Sequence, residues 1–459
     1  MQCISPVDGR LYHERPVTSA PEVDATLRRA QEAQRLWRSV PVSERAALME
    51  RFCVAFEAAA APIASELSWQ MGRPIRFAPS EVRGTLERAR YMSGIAAEAL
   101  RDIDPGPRSG FERFIRREPL GVVFTVAAWN YPYLIAVNSV VPALLAGNAV
   151  VLKHSAQTPL CAERFAECFQ AAGLPHGVFQ IVHLEHAGTE RVIRDPRVDF
   201  VAFTGSVGGG RAIQRVAAER FMGVGLELGG CDPVYVRHDA DLPHAIEHIV
   251  DGAYFNCGQS CCGLQRLYVH ESVYEPFTTG CIELIRRYRL GDPLDPETTL
   301  GPVVRTAAAE TIRAQVRASV AAGARAAIDE RDFPRSQVGT PYLAPQLLLD
   351  APVDSPVMRE EIFGPVAGIM KVRSDQEAVR HMNDSPFGLT AAVWTRDTAL
   401  ALRLGDQVHT GTWFMNRCDY LDPALAWVGV RDSGRGCTLS RVGFEHLTRP
   451  KSFHLRVST

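Results

Sequence analysis

From Pro119 to Leu152 the chain reads PLGVVFTVAAWNYPYLIAVNSVVPALLAGNAVVL, without one Asp, Glu, Lys, Arg or His. That length would suffice for a membrane span, but Asn130, Pro132, Asn138, Pro142, Gly147 and Asn148 divide it. Gly121–Ala127 and Ala149–Leu152 are runs rich in β-branched residues, with a helix-like stretch between them. Strands that are apolar throughout, rather than alternating, suit a parallel sheet covered on both faces, because neither face meets water. The stretch therefore predicts strand, crossover helix and strand, and with them an α/β fold.

Outward from this unit the same rhythm continues. Val178–Val182, Phe200–Phe203 and Val234–Val236 read as strands, alternating with helices at Leu160–Ala172 and Arg211–Glu219, which is the pattern of a doubly wound sheet. Toward the N-terminus, Glu22–Arg38, Val42–Ala61 and Glu81–Leu100 have helical spacing. Pro/Gly/Asp-rich breaks at Arg101–Ser109, Gly291–Glu297 and Asp332–Pro345 mark loops or element boundaries. There is no internal repeat and no low-complexity tail.

Composition limits the function classes. At 459 residues the chain can bury a large core and divide into two or three domains. It carries 46% hydrophobic and 22% charged residues, as ordinary globular proteins do. Fifty basic residues stand against 52 acidic ones, so no field gathers nucleic acid or an anionic membrane, and neither is expected as a partner. Eleven cysteines without scaffold-like spacing fit a reducing cytoplasm. A zinc site at Cys257, Cys261 and Cys262 lacks a second cluster or a His at ligand spacing, so no metal is expected. The first ten residues have no apolar signal core, which predicts neither secretion nor a transit peptide.

Three segments carry chemistry. At Phe203–Gly210 a strand enters a turn containing Gly205, Ser206 and Gly208–Gly210 and then a helix. Backbone amides in such a turn can approach a phosphate, and the helix N-terminus favours its charge, although a glycine-rich turn alone is more often only a turn. Thirty-four residues separate Glu227, in Leu226–Gly230, from Cys261, in Phe255–Cys262. A thiolate attacks carbonyls well and a carboxylate can activate water to release the acyl group. The plainer reading is a small buried cysteine beside glycine turns.

Taken in order, these pieces resemble the aldehyde dehydrogenase superfamily, across nearly the whole chain. The resemblance is carried by Ala128–Pro132, Lys153 to Pro159, Phe203–Gly210, Glu227, Cys261, Glu360–Pro365, Asn383 with Phe387–Leu389, Asn416, and Ser433-Gly434. It implies a Rossmann-type cofactor domain of residues 1–100 and 120–230, an α/β catalytic domain of 231–435, and a small β oligomerisation element of 101–119 and 436–459. It implies NAD(P)-dependent oxidation of an aldehyde to the acid. Cys261 would be the nucleophile, two residues after Gln259, forming a thiohemiacetal whose oxyanion is held by the Asn130 amide and the Cys261 N–H. Hydride transfer would leave a thioester, and Glu227 would activate the water that hydrolyses it. Cys257 and Cys262 would only pack nearby. Lys153 is expected at the adenosine ribose, Gly205, Ser206 and Trp129 near the pyrophosphate, and Glu361 with Phe363 at the nicotinamide riboside.

Departures from the family pattern matter as much. Ser139 stands where many members have a Lys, and Gly436-Cys437-Thr438 stands where many read Gly-Arg-Glu, so the usual proton relay from the glutamate is absent. By alignment with the motifs, Tyr131, Leu134, Asn138, Phe255, Ser260, Tyr420, Leu421 and Trp427 should border the aldehyde tunnel. This mostly apolar set favours a medium-sized apolar or aromatic aldehyde. The alternative is a succinate-semialdehyde-type enzyme, which tends to carry an Arg at the Asn138 position; Arg417 or Arg266 would have to substitute. A CoA-acylating enzyme would lack the glutamate supplied here by Glu227, and a non-catalytic binding protein would be marked by a lost nucleophile. Ala156 stands where NAD-preferring members often have a Glu that repels the phosphate of NADP, so NAD is expected with NADP tolerated, Lys153 and His154 offering positive charge. Phe111–Glu118 and Ser452–Val457 look like the paired strands through which the family associates, implying a homodimer or homotetramer.

Overall fold

In the computed structural model, which describes residues 1–418 and 420–458, the apolar stretch folds as its composition requires. Strands Val122–Val126 and Ala149–Lys153 are parallel neighbours, Val122 opposite Ala149 and Val126 opposite Lys153, with helix Pro132–Leu145 between them in the chain. All five residues of the first strand are buried. These two strands belong to a six-stranded sheet, in the spatial order Gly434–Arg435, Gly223–Glu227, Phe200–Thr204, Val122–Val126, Ala149–Lys153, Phe179–Ile181. The chain leaves Val122–Val126 for one side of the sheet and returns to its other side at Phe200–Thr204. Such a reversal opens a crevice at the carboxyl ends of the strands, where ligands of open α/β sheets bind.

A second, seven-stranded sheet runs in the order Arg325–Ala326, Gln346–Leu349, Val366–Val372, Leu264–His270, Asp232–Val236, Thr390–Trp394, Thr412–Met415. Its neighbours are parallel except at the Arg325–Ala326 edge. The last strand before it, Gly223–Glu227, passes into Asp232–Val236 through only four residues. The carboxyl edge of the first sheet is thus tied to the amino edge of the second. Gly434–Arg435, from late in the chain, pairs antiparallel with Leu226 and Glu227 and covers the edge of the first sheet.

Away from both sheets, Phe111–Pro119 and Thr448–Arg456 form an antiparallel ribbon running from Phe111 opposite Arg456 to Pro119 opposite Thr448. Helix Val207–Ala217 starts four residues earlier than its periodicity suggests, because the Ser206 hydroxyl accepts from Gly209 N–H at 3.2 Å and caps it. The N-terminal helices are Ala20–Trp37, Val42–Ala58, Ala60–Met71 and Pro79–Ala99. The sequence reading ends a helix at Ala61 and assigns none over Ala60–Met71. Proline is tolerated in a first helical turn, where amides lack partners anyway, and Gly72 closes the helix at φ 80°. No helix among the described residues is long and apolar enough to cross a membrane.

Candidate active site

The carboxyl edge of the six-stranded sheet collects the singled-out residues. Trp129 and Asn130 follow strand Val122–Val126, Lys153 ends its strand, Gly205 and Ser206 follow Phe200–Thr204, and Glu227 ends Gly223–Glu227. Cys261 lies in the loop before strand Leu264–His270, and Glu361 and Phe363 precede Val366–Val372. The two loop systems press together at Gly229 and Gly230. A Cβ on Gly230 would lie 2.3 Å from the Cys261 carbonyl oxygen, and one on Gly229 2.1 Å from a Glu361 oxygen. Glycine is needed there for close approach, not for a turn.

The loop carrying Cys261 is held in an unusual backbone. Asn256, Cys257 and Gly258 have φ of 53°, 58° and 66° in succession, a left-handed run that non-glycine residues keep only when surroundings over-determine it. The surroundings here are polar and buried. Asn256 Nδ2 donates to Asn130 O at 3.1 Å and to Gln259 O at 3.3 Å, and Gln259 Oε1 accepts from Val304 N–H at 2.8 Å. Arg73 donates to Asn256 Oδ1 at 3.2 Å and to Asn130 O at 2.7 Å. The same guanidinium pairs with Glu81, whose other oxygen accepts from Tyr133 and Leu134 N–H, at the start of helix Pro132–Leu145. One buried ion pair thereby fixes the Asn130 segment against the cysteine loop. The Asn130 amide donates to Gln259 O at 3.1 Å, and an amide has a second N–H to offer.

Cys261, Glu227 and Asn130 all line one cavity of about 410 Å³. Tyr131, Leu134, Asn138, Phe255, Ser260, Tyr420, Leu421 and Trp427 line it too. Cys262 is on its wall but 3% exposed, and Cys257 is buried in the core of the second sheet, where burial pushes its thiol far up. Glu227 Oε1 accepts from the Thr438 hydroxyl at 2.5 Å and Oε2 from Thr204 at 3.5 Å. Burial raises the Glu227 pKa, partly offset by Thr438, the Arg88 charge and Thr204. Glu361 is raised to about 7 by burial and accepts from Gly230 N–H at 3.1 Å. The rings of Trp129 and Phe363 meet edge-to-face at 5.7 Å.

Several lining residues escaped the sequence reading. Ser80, Arg83, Gly84, Glu87 and Arg88 come from helix Pro79–Ala99, and their spacing of three and four residues is a helix face that reads in isolation as a solvated stripe. Arg88 is 8% exposed and donates to Leu134 O at 2.9 Å and Asn138 Oδ1 at 3.1 Å. Neither Arg266 nor Arg417 takes that place. Arg266 is spent on Cys231, Tyr268, His381 and Met382, and Arg417 stacks over the Tyr420 ring at 3.8 Å. His154 also departs from expectation. It is fully buried, bonded to Pro132 O, Ser155 N–H and Thr158, and burial lowers its pKa to about 4, so it carries no charge for a phosphate. Among the described residues no cluster of three His, Cys, Asp or Glu could hold a metal ion.

A family model described as the aldehyde dehydrogenase family matches residues 1–453. The chain belongs to the aldehyde dehydrogenase family. Among other aldehyde dehydrogenases, it is 33% identical over 452 residues to succinate-semialdehyde dehydrogenase [NADP(+)] of Mycobacterium avium, covering 98% of this chain and 95% of that one. The crystal structure of an NAD-dependent aldehyde dehydrogenase from Sinorhizobium meliloti matches with a TM-score of 0.95 and 32% identity, over 100% of this chain and 92% of that one. Succinic semialdehyde dehydrogenase from Streptococcus pyogenes, solved with NADP+, matches with a TM-score of 0.93 and 28% identity, over 99% of both chains.

Proposed function

We propose that this aldehyde dehydrogenase oxidises a medium-sized aldehyde to its carboxylic acid with NAD(P)+, and that Cys261 is the nucleophile, Asn130 an oxyanion donor and Glu227 the base of deacylation. The observation that carries this is the single cavity lined by all three. The Cys261 thiolate adds to the carbonyl carbon, and the oxygen that gains charge is met by the Asn130 amide and the Cys261 N–H. Bound NAD(P)+ supplies hydride acceptance, which leaves a thioester on Cys261. Glu227 takes a proton from water as it attacks the thioester, and the thiolate leaves. A carboxylate whose pKa is raised by burial is a stronger base than a solvated one.

The residues present fit a dinucleotide. The switch point, the capped helix start at Ser206 and the partly buried Lys153 lie on one sheet edge, and Trp129 and Phe363 offer flat apolar surface beside the Glu361 carboxylate. We assign Lys153 to the adenosine ribose, Gly205, Ser206 and Trp129 to the pyrophosphate, and Glu361 with Phe363 to the nicotinamide riboside. On the same reading residues 1–100 and 120–230 form the cofactor domain, 231–435 the catalytic domain, and 101–119 with 436–459 an element joining two or four subunits. Eleven cysteines without scaffold-like spacing suit a reducing cytoplasm.

Tyr131, Leu134, Phe255, Leu421 and Trp427 favour an apolar or aromatic substrate body. A second reading, an aldehyde with a distal carboxylate, is favoured by Arg88 and Arg83 on the same wall and by the succinate-semialdehyde dehydrogenases among the relatives. Rapid mixing with aldehyde and cofactor tests the roles. Cys261→Ala should abolish turnover while cofactor still binds, Cys262→Ala should retain most activity, and Glu227→Gln should give a burst of reduced cofactor with acyl-enzyme accumulating. An active Cys261→Ala, or a Glu227→Gln enzyme with unimpaired steady state, would overturn the assignment.

A further inference from the structure

Glu227 is a wall between two cavities. On one side is the cavity with Cys261; on the other is a smaller one, of about 30 Å³. Among its lining residues are Thr125, Ser139, Thr204, Thr438, Cys437 and His446, set among apolar side chains such as those of Phe200, Phe203 and Leu447. At ~10–15 Å³ per water it has room for one or two. Thr125 and Ser139 Oγ atoms lie 3.1 Å apart. Both side chains are buried on the sheet strand and the helix that flank the space, whereas His446 is exposed to solvent.

We propose that this second cavity is the proton outlet of the active site, passing the proton that Glu227 acquires in deacylation through water held by Ser139 and Thr125 to His446 and the solvent. The proposal rests on the reading of Glu227 as the deacylation base. The balance is simple. Water attacking the thioester gives one proton to a Glu227 oxygen, the hydroxide oxygen bonds to the acyl carbon, and the carbon–sulfur bond breaks with its electron pair on Cys261. Glu227 must then return to carboxylate before the next turnover. The Thr438 hydroxyl donates to Oε1 and so stands at the junction with the small cavity. A cavity water accepts the proton from Glu227 and passes one on to the His446 imidazole, which gives it to bulk solvent. No oxidant or other co-reactant is involved.

The alternative exit is back through the substrate cavity. There the charged lining groups are Arg83 and Arg88, which cannot accept a proton, and the Glu87 and Asp251 carboxylates, of which Glu87 already accepts from the Tyr420 hydroxyl; the Arg88 charge favours the ionised Glu227. From the small cavity Glu227 faces Cys437, a thiol whose pKa burial pushes up to about 11, and so no acceptor near neutral pH. His446 is the imidazole that lines the small cavity, and it is open to solvent.

Three variants test this in the full-length enzyme with single-turnover deacylation as the readout. Ser139→Leu, which fills the cavity, and Thr125→Val, which removes a hydroxyl at constant volume, should leave the burst of reduced cofactor intact. Each should slow deacylation on the order of tenfold, less than the ~10²–10⁴ contributed by a general base itself, and enlarge its solvent deuterium isotope effect. His446→Ala, at an exposed site, should slow deacylation and be restored by added imidazole with saturation, which loss of a merely structural contact would not show. Should Ser139→Leu fail to fold, Thr125→Val and His446→Ala decide. Unchanged deacylation and isotope effect in the folded variants overturn the outlet, while an unimpaired Glu227→Gln enzyme would instead remove the base on which it rests.

Discussion

The Arg88 guanidinium donates to Asn138 Oδ1 at 3.1 Å, across the wall of the aldehyde cavity and from a helix fifty residues earlier in the chain. The positive charge absent from position 138 in the sequence is therefore present in space. A guanidinium at this depth is costly to bury, and the carboxylates acting on it, Glu81, Glu227 and Glu87, are committed to Arg73, to Thr438 and to the Tyr420 hydroxyl.

The first prediction follows from that cation. Arg88→Gln should lower kcat/KM for an aldehyde bearing a distal carboxylate by about 10- to 100-fold, since a charged hydrogen bond contributes ~1.5–3 kcal/mol. The same change should barely alter kcat/KM for an uncharged aldehyde of equal length. Equal losses on both substrates would mean that Arg88 supports the wall without reading the substrate.

Thr438 sets the acid limb of the pH profile. The Glu227 pKa is raised by burial and drawn back by the Thr438 hydroxyl, so deacylation, which needs the carboxylate, should fail as pH drops at values above the usual carboxylate range of ~4.3. Thr438→Val removes a donor that favours the ionised form, moving that limb to still higher pH; Thr438→Ser should keep it in place. Deacylation rates across pH for the three enzymes check this, and a limb that does not move would separate Thr438 from Glu227.

Cofactor choice is expected to turn on Ala156, a partly buried small residue three positions after Lys153. Without a carboxylate to repel the added phosphate, NAD should be used with only weak discrimination against NADP, roughly tenfold or less, about 1.4 kcal/mol. Ala156→Glu should widen the gap in favour of NAD. Because His154 is neutral and buried, His154→Gln should leave the ratio of specificity constants unchanged; rejection of NADP by several orders of magnitude in the parent enzyme would show that another group discriminates.

Removing the chain from Lys451 onward takes away the register from Lys451 opposite Arg116 to Arg456 opposite Phe111. It exposes most of strand Phe111–Pro119 and removes Phe453, which stacks on the Phe114 ring. Sedimentation should then show monomer or aggregate in place of a dimer or tetramer, and an unaltered oligomer would mean that subunits join elsewhere.

Much of this was legible in the residue order for a physical reason. Cys261, Glu227 and Lys153 sit at or beside strand ends, where a short run of chain fixes a side chain's place, and the strands themselves are announced by unbroken apolar runs. Arg88 was not legible, because a charged face repeating every three or four residues looks the same whether it meets water or a cavity. Thr438 was read only as a missing glutamate; that its hydroxyl seats Glu227 depends on a pairing between segments 211 residues apart. His154 was misread because adjacency to Lys153 says nothing of burial, and the side chains alternate across the end of the strand.

The antiparallel cover that Gly434–Arg435 lays over Leu226–Glu227 also imposes an order in time. During synthesis at ~5–20 residues per second, roughly 10–40 s pass between the emergence of Glu227 and that of Thr438. For the last 177 residues of that interval a thiol at position 261 exists, while the Thr438 hydroxyl that seats Glu227 does not. The Glu227 carboxylate thus gains its seat only after every strand of the seven-stranded sheet has been made.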